Sequence, residues 1–281
     1  MNTVNSSDYA SKAIKHLVSS PMLKGLDFNG RFGLNEPKIK HILADKNDIY
    51  KLLFCSGLRN VQTCAKLFCS EKPKFHQYAH HVNSSQIFCI NVFGPLMILA
   101  DSYKALRSLL EQMGVVFKSP IVRAQFEFTP EAKRDRTQFD FYVKTLNGEE
   151  AFFEIKYTER KFGTPSKGSY RERAFYAQLC RASVNLSAMA DMDVDDSMCE
   201  EFFKNFQIWR NVGHVQNDKQ YSVFLFPFRN KSLSASFPMD TMKNVLKIDS
   251  ERIDEYADAA FGFRSALTRY YHNLKETYFN F

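Results

Sequence analysis

The chain has 281 residues, enough for one large domain or a core with additions. With 44% hydrophobic and 25% charged residues it has a globular composition, which excludes a disordered or fibrous chain. Lys and Arg exceed Asp and Glu, giving a formal net charge of +7, a balance that favours a polyanionic partner.

The six cysteines (Cys55, Cys64, Cys69, Cys89, Cys180, Cys199) form no CxxC pair and read as free thiols of a reducing compartment. The N-terminus, MNTVNSSDYASKAIK, lacks the apolar core of a signal peptide. The longest apolar stretch, 86–100, is interrupted by Asn91, Gly94 and Pro95 and is too short to span a bilayer. A cytoplasmic protein without membrane association is expected.

Residues 11–18 and 45–54 have helical spacing, with a loop marked by Asn29-Gly30, Gly33 and Pro37 between them. His76, His80 and His81 stand near Cys64 and Cys69 in sequence, but their spacing matches no zinc pattern, and they read as loop and helix residues. Residues 84–113 read as a long, mostly buried helix, bent or broken at Gly94-Pro95 and ended by Gly114. A strand pattern follows over 115–128. Residues 130–138 form a polar, basic connection.

The informative stretch is 140–156, DFYVKTLNGEEAFFEIK. Two runs of β formers flank Asn147-Gly148, which predicts a hairpin. Glu154 and Lys156 interrupt the second run and share a face, because side chains in a strand alternate. A two-residue turn would put Asp140 on the opposite face from Glu154. A three-residue loop, Leu146-Asn147-Gly148 with Gly148 left-handed, pairs Thr145 with Glu149 and sets Asp140 opposite Glu154. We expect the second register, which lets both carboxylates hold one cation. An acid facing an acid-x-Lys is the charge set of a Mg²⁺-dependent phosphodiesterase. In that reading Asp140, Glu154 and the Ile155 carbonyl ligate Mg²⁺, which Mn²⁺ is able to replace, and Lys156 orients the attacking water or meets charge on the phosphoryl oxygens. One cation or two is left open.

Residues 157–173 read as a mobile, basic loop, with Gly163, Pro165 and Gly168. A helix is expected over 169–190. Asp191, Asp193, Asp195 and Asp196 read as a solvated linker and helix N-terminus rather than a calcium loop, since the glycine and terminal Glu of such a loop are missing. A further helix over 198–215, a buried strand over 221–228 and one or two helices within 239–278 (253–261 and 265–278) complete the chain. The expected fold is α/β: a mixed central sheet with helices on both faces.

Asp140 with Glu154-Ile155-Lys156 resembles the PD-(D/E)xK nuclease superfamily, whose fold is restriction-endonuclease-like. Phe139 stands where the superfamily's proline often precedes the first acid. NVFGPL (91–96), EFTP with RTQFD (127–140), EIKYTE (154–159) and QIWRN (207–211) together are similar to a group of bacterial restriction endonucleases, over roughly 84–228. The resemblance implies a nuclease core at 84–230, with a mostly helical addition at 1–83 and a helical segment at 231–281. It implies a metal-dependent endonuclease acting on double-stranded DNA, in restriction or defence, and a homodimer is one arrangement it allows. The alternatives are a nuclease of repair, recombination or RNA, and a catalytically silent nucleic-acid-binding protein.

Several branches of the superfamily also place a glutamine from a downstream helix beside the catalytic lysine. Gln207 is the candidate, with Arg210 on phosphate one turn on; otherwise this helix simply packs Trp209 inward. Glu127 is either a further ligand or a solvent-face residue. Gln86 and Glu159 are further candidates near the site. Lys133, Arg134, Arg136, Arg160, Lys161, Lys167, Arg171 and Arg173 form either a phosphate-binding rim or ordinary solvated charge.

Overall fold

The computed structural model describes residues 6–31, 37–53, 75–98, 102–130, 137–165, 172–192, 194–237 and 242–281. Five strands make one sheet: β1 (Ile121–Phe128), β2 (Phe139–Thr145), β3 (Glu150–Ile155), β4 (Gln220–Phe226) and β5 (Val245–Asp249), in that spatial order. β1, β2 and β3 pair antiparallel, whereas β3–β4 and β4–β5 pair parallel, so the sheet is mixed.

Helices cover both faces. On one face Phe141, Val143, Phe153, Ile155, Val223 and Leu225 pack with α1 (Ser6–Ser19), α2 (Ser85–Ile98), α3 (Ser102–Gln112), α8 (Ile253–Phe261) and α9 (Ala266–Phe279). Phe93 of α2 stacks on Phe141 with ring centroids 4.2 Å apart. On the other, Phe224 and Phe226 pack with α4 (Arg173–Ala182), α5 (Asp196–Lys204), α6 (Phe206–Gly213) and α7 (Lys231–Ala235). Each of these phenylalanines contributes roughly 1.5–3 kcal/mol by leaving water. β3 and β4 are buried on both faces, as their continuous apolar runs require.

The hairpin follows the three-residue register. Phe141 pairs with Phe153, Val143 with Ala151 and Lys144 with Glu150; Thr145 N–H donates to Glu149 O at 2.9 Å. Gly148 takes φ +81°, the left-handed conformation that the loop needs. The buried Glu149 carboxylate accepts from the Lys118 and Ser119 N–H groups and ties the chain before β1 to the turn. Hence β1 begins at Ile121 rather than at 115.

Gly94-Pro95 does not break the helix: α2 runs unbroken to Ile98, with Pro95 inside it. The N–H that Pro95 lacks would have met the Asn91 carbonyl one turn back. Tyr270 Oη of α9 donates to that carbonyl at 2.7 Å instead. Gly114, at φ +90°, follows the end of α3 as expected. The expected helix over 198–215 is two, α5 and α6, divided at Asn205. Asp195 caps α5 by accepting from the Ser197 and Met198 N–H groups. The helix expected over 169–190 is shorter, with only a 3₁₀ turn after it. The segment 231–281 is not purely helical: β5, with Lys247 in its middle, adds an edge strand.

Candidate active site

β2 and β3 stop pairing one rung before the acids are passed. The hydrogen-bonded pairs are Thr145–Glu149, Val143–Ala151 and Phe141–Phe153, so Phe139–Ile155 would be next. That pair does not form, and Ile155 N–H donates to Asp140 Oδ2 at 2.6 Å. Lys156 N–H donates to Leu225 O of β4. Backbone groups alternate sides along a strand, so the Ile155 carbonyl faces away from β4, toward Asp140.

β1 enters the same rung. Phe126 pairs with Phe141 and Phe128 with Phe139, which sets Glu127 opposite Asp140, itself opposite Glu154. Three carboxylates therefore lie in one row across three strands. β1 and β2 both change face there. Phe126 and Phe141 belong to the large core, whereas Phe128 and Phe139 pack with Tyr142 and Phe152 on the other side. Glu127 carries the switch with φ +53°, a strained value for a non-glycine residue.

Glu154 is 2% exposed and held on both oxygens. Oε1 accepts from Gln207 Nε2 at 2.7 Å and from Lys156 Nζ in a short ion pair; Oε2 accepts from Asn211 Nδ2 at 2.9 Å. Gln207 and Asn211 stand one turn apart on α6, so both amides project from one helix face. Gln207 Oε1 in turn accepts from Gly163 N–H at 2.5 Å. Glu127 Oε1 accepts from Gln86 Nε2 at 2.7 Å, and Gln86 Oε1 from His76 N–H at 2.8 Å. Glu159 Oε2 accepts from Tyr157 N–H at 2.7 Å.

The charges strain one another. Burial, then repulsion by Glu154, pushes the Asp140 carboxyl well above the ordinary carboxylate range; Lys156 opposes this. Burial also raises Glu127, the Gln86 hydrogen bond opposes it, and Glu154 adds repulsion. Burial alone would lower the Lys156 ammonium, but Glu154, Glu159 and Asp140 together outweigh it and hold it above its ordinary value. Such mutual perturbation in a cavity makes these residues a candidate functional centre.

These residues line a cavity of about 520 Å³, into which Arg160 also projects. Among the described residues no three His, Cys, Asp or Glu side chains close around a common point as metal ligands do. A cation would therefore draw on carboxylates, a backbone oxygen and water.

A family model described as restriction endonuclease associating with ARP matches residues 31–256. The chain belongs to this family. Neither the curated proteins nor the solved structures yield a match. The REase-ARP match takes in all five strands and every site residue above, and reaches beyond the 84–228 stretch on which the sequence resemblance rests. The fold is accordingly a restriction-endonuclease-like α/β fold, and the family is one of nucleases.

Within this REase-ARP chain the structure brings Asp140, Glu154, Lys156, Gln207, Glu127 and Gln86 to one cavity. It does not bring Arg210 there: its guanidinium lies 5.2 Å from the Phe206 ring. Phe206 belongs to the aromatic cluster under α4 and α5. Lys161 and Arg173 are exposed. Lys133, Arg134, Arg136, Lys167 and Arg171 lie outside the described residues, as do Cys55, Cys64 and Cys69. Asn211 is the residue that sequence reasoning missed. The available signal was its spacing of four from Gln207, which places both amides on one side of the helix. No helix of the described residues is long and apolar enough to cross a membrane.

Proposed function

We propose that the chain is a Mg²⁺-dependent endonuclease that hydrolyses phosphodiester bonds of double-stranded DNA in restriction or defence against foreign DNA. The observation that carries this reading is the row of Glu127, Asp140 and Glu154, with the Lys156 ammonium beside it in one cavity.

The donor set suits a hard cation. An ionised carboxylate has about four lone-pair sites. Glu154 uses three of them, and Asp140 one, on Ile155 N–H. Asp140, Glu154 and the Ile155 carbonyl together match the few protein oxygens that Mg²⁺ takes. When bound, the cation supplies charge for the phosphoryl oxygens and a more acidic water.

The chain's own groups do the rest. Gln207 and Asn211 hold Glu154 in one rotamer facing Asp140. Lys156 presents N–H donors to water or a phosphoryl oxygen from a fixed position, because Glu154 anchors it. Arg160 at the cavity rim offers a phosphate contact. The family's description names an association with ARP, and we include such a partner in the working assembly. A cytoplasmic location and a homodimer acting on both strands belong to the same reading.

The test is incubation of purified protein with plasmid and short DNA and RNA, with Mg²⁺, Mn²⁺ or chelator, beside Asp140→Ala and Lys156→Ala. Metal-dependent DNA cleavage lost in both variants supports the proposal. Preference for RNA moves it to that substrate. Salt-sensitive binding without cleavage under any metal removes it.

A further inference from the structure

A second cavity, of about 510 Å³, opens beside the rung next to the acids. Tyr142 pairs with Phe152, two residues along from Asp140 and Glu154, and Phe152 shares the face of Glu154. The offset along the strands is about 7 Å. Tyr142 and Phe152 form its floor together with Phe128, whose ring stacks on Tyr142 at 3.8 Å and an interplanar angle of 11°. Phe175 of α4 adds a fourth aromatic wall. Around them stand groups of another kind. The Arg123 guanidinium lies 5.5 Å from the Phe128 ring centre and 5.8 Å from that of Tyr142. The Glu150 carboxylate is committed to the Tyr142 hydroxyl and to Gln220 Nε2. The side-chain amides of Gln178 and Gln216 line the cavity and have no hydrogen-bond partner among the described residues.

We propose that this cavity binds a nucleobase. Aromatic side chains accept any base on its π face, and a guanidinium adds to such a stack. Each glutamine amide offers both a donor and an acceptor, the chemistry that reads a base edge. A hydrocarbon ligand would leave the Gln178 and Gln216 amides unused, and an anion alone would leave the aromatic floor unused. The cavity is large enough for a whole nucleotide. Its place one rung from the carboxylates is the place of a base one nucleotide from the phosphate to be cut. This last point rests on the nuclease reading; the binding of a base does not.

The experiment uses the full-length protein with dAMP, dCMP, dGMP and dTMP, with deoxyribose 5-phosphate as the baseless control. A short single-stranded oligonucleotide carrying 2-aminopurine is the chain-borne probe. At least one mononucleotide is expected to raise Tm where the control does not, or the 2-aminopurine fluorescence is quenched. The double variant Phe175→Ala with Gln178→Ala, its fold checked by circular dichroism, should weaken that binding about tenfold. In cleavage assays the double variant should raise KM and keep kcat. Response to mononucleotides identifies a free nucleotide as ligand; response to the oligonucleotide alone identifies a base of the chain; both support the site. Base binding that is untouched by the double variant, or that is absent with every probe, overturns it. Base binding retained in a protein that cuts nothing keeps this site and removes the nuclease reading.

Discussion

Gln207 joins Glu154 to a loop: its amide nitrogen donates to Glu154 Oε1 at 2.7 Å, while its oxygen accepts from Gly163 N–H at 2.5 Å. One side chain thus couples the buried acid to the chain that leaves the site. Gly163 suits this contact, because a Cβ there would lie 2.8 Å from the Gln207 oxygen. Gln207→Ala takes a donor from Glu154 and an acceptor from Gly163. We expect it to cost about 1–3 kcal/mol in urea denaturation and to lower kcat more than it raises KM. Gly163→Ala should reproduce the kinetic defect in weaker form. Wild-type kcat in Gln207→Ala would exclude this coupling from the reaction.

Asp140→Asn tests the crowding of charge. The Asp140 carboxyl is raised by burial and by Glu154, so the folded protein binds its proton more tightly than the unfolded chain does. The ionised form therefore opposes folding at pH 8. Stability contributed by this group grows as pH falls through the folded value toward the ordinary carboxylate range. In chelator, Asp140→Asn should have the higher Tm at pH 8, and the gap should close as pH falls toward about 4. Mn²⁺ should raise the Tm of the wild type and not of the variant. A gap of constant size across that range contradicts the assignment.

The hairpin register depends on Gly148 at φ +81°. Nothing lies within 4 Å of a Cβ placed there, so the penalty of a side chain is purely conformational. Gly148→Ala should cost about 1–2 kcal/mol, and Gly148→Asn less, since asparagine tolerates this conformation. Equal stability of Ala and Asn variants, measured by chemical denaturation, would show that the loop relaxes to another turn.

Pro95 and Tyr270 form a compensating pair. Tyr270→Phe leaves the buried Asn91 carbonyl without this donor and should cost about 1–2 kcal/mol. In a Pro95→Ala background the helix regains its own N–H, and the same substitution should cost less. A double-mutant cycle with no coupling would mean that the hydroxyl does not stand in for the missing amide.

Much of this was legible because local chemistry forced it. Asn147-Gly148 and the alternation of Phe141, Val143, Phe153 and Ile155 fix the register, and the register fixes Asp140 against Glu154. Asp195 announced the start of α5 through its position before Ser197 and Met198. Other features depend on residues distant in sequence. Tyr270 rescues Pro95 from across the chain, which no local pattern reveals. β5 reads poorly because it is an edge strand with Lys247 at its centre and only Ile248 fully buried. Asn211 looks like a flaw in an apolar helix until Glu154 is placed beneath it. The charge on Arg210 suggested phosphate, yet its flat guanidinium found the Phe206 ring.

The placing of Gln207 and Asn211 bears on how the protein is made. Both acids of the hairpin and Lys156 precede Asn211 by 55 to 71 residues in the chain. At about 5–20 residues per second, synthesis delivers them to the cell several seconds before the helix that orients Glu154. β4, which supplies the parallel partner of β3, comes later still. A nascent chain therefore carries the charged groups without the amides and the neighbouring strand that set their geometry. The order of translation itself delays the finished centre until nearly four-fifths of the polypeptide has been made.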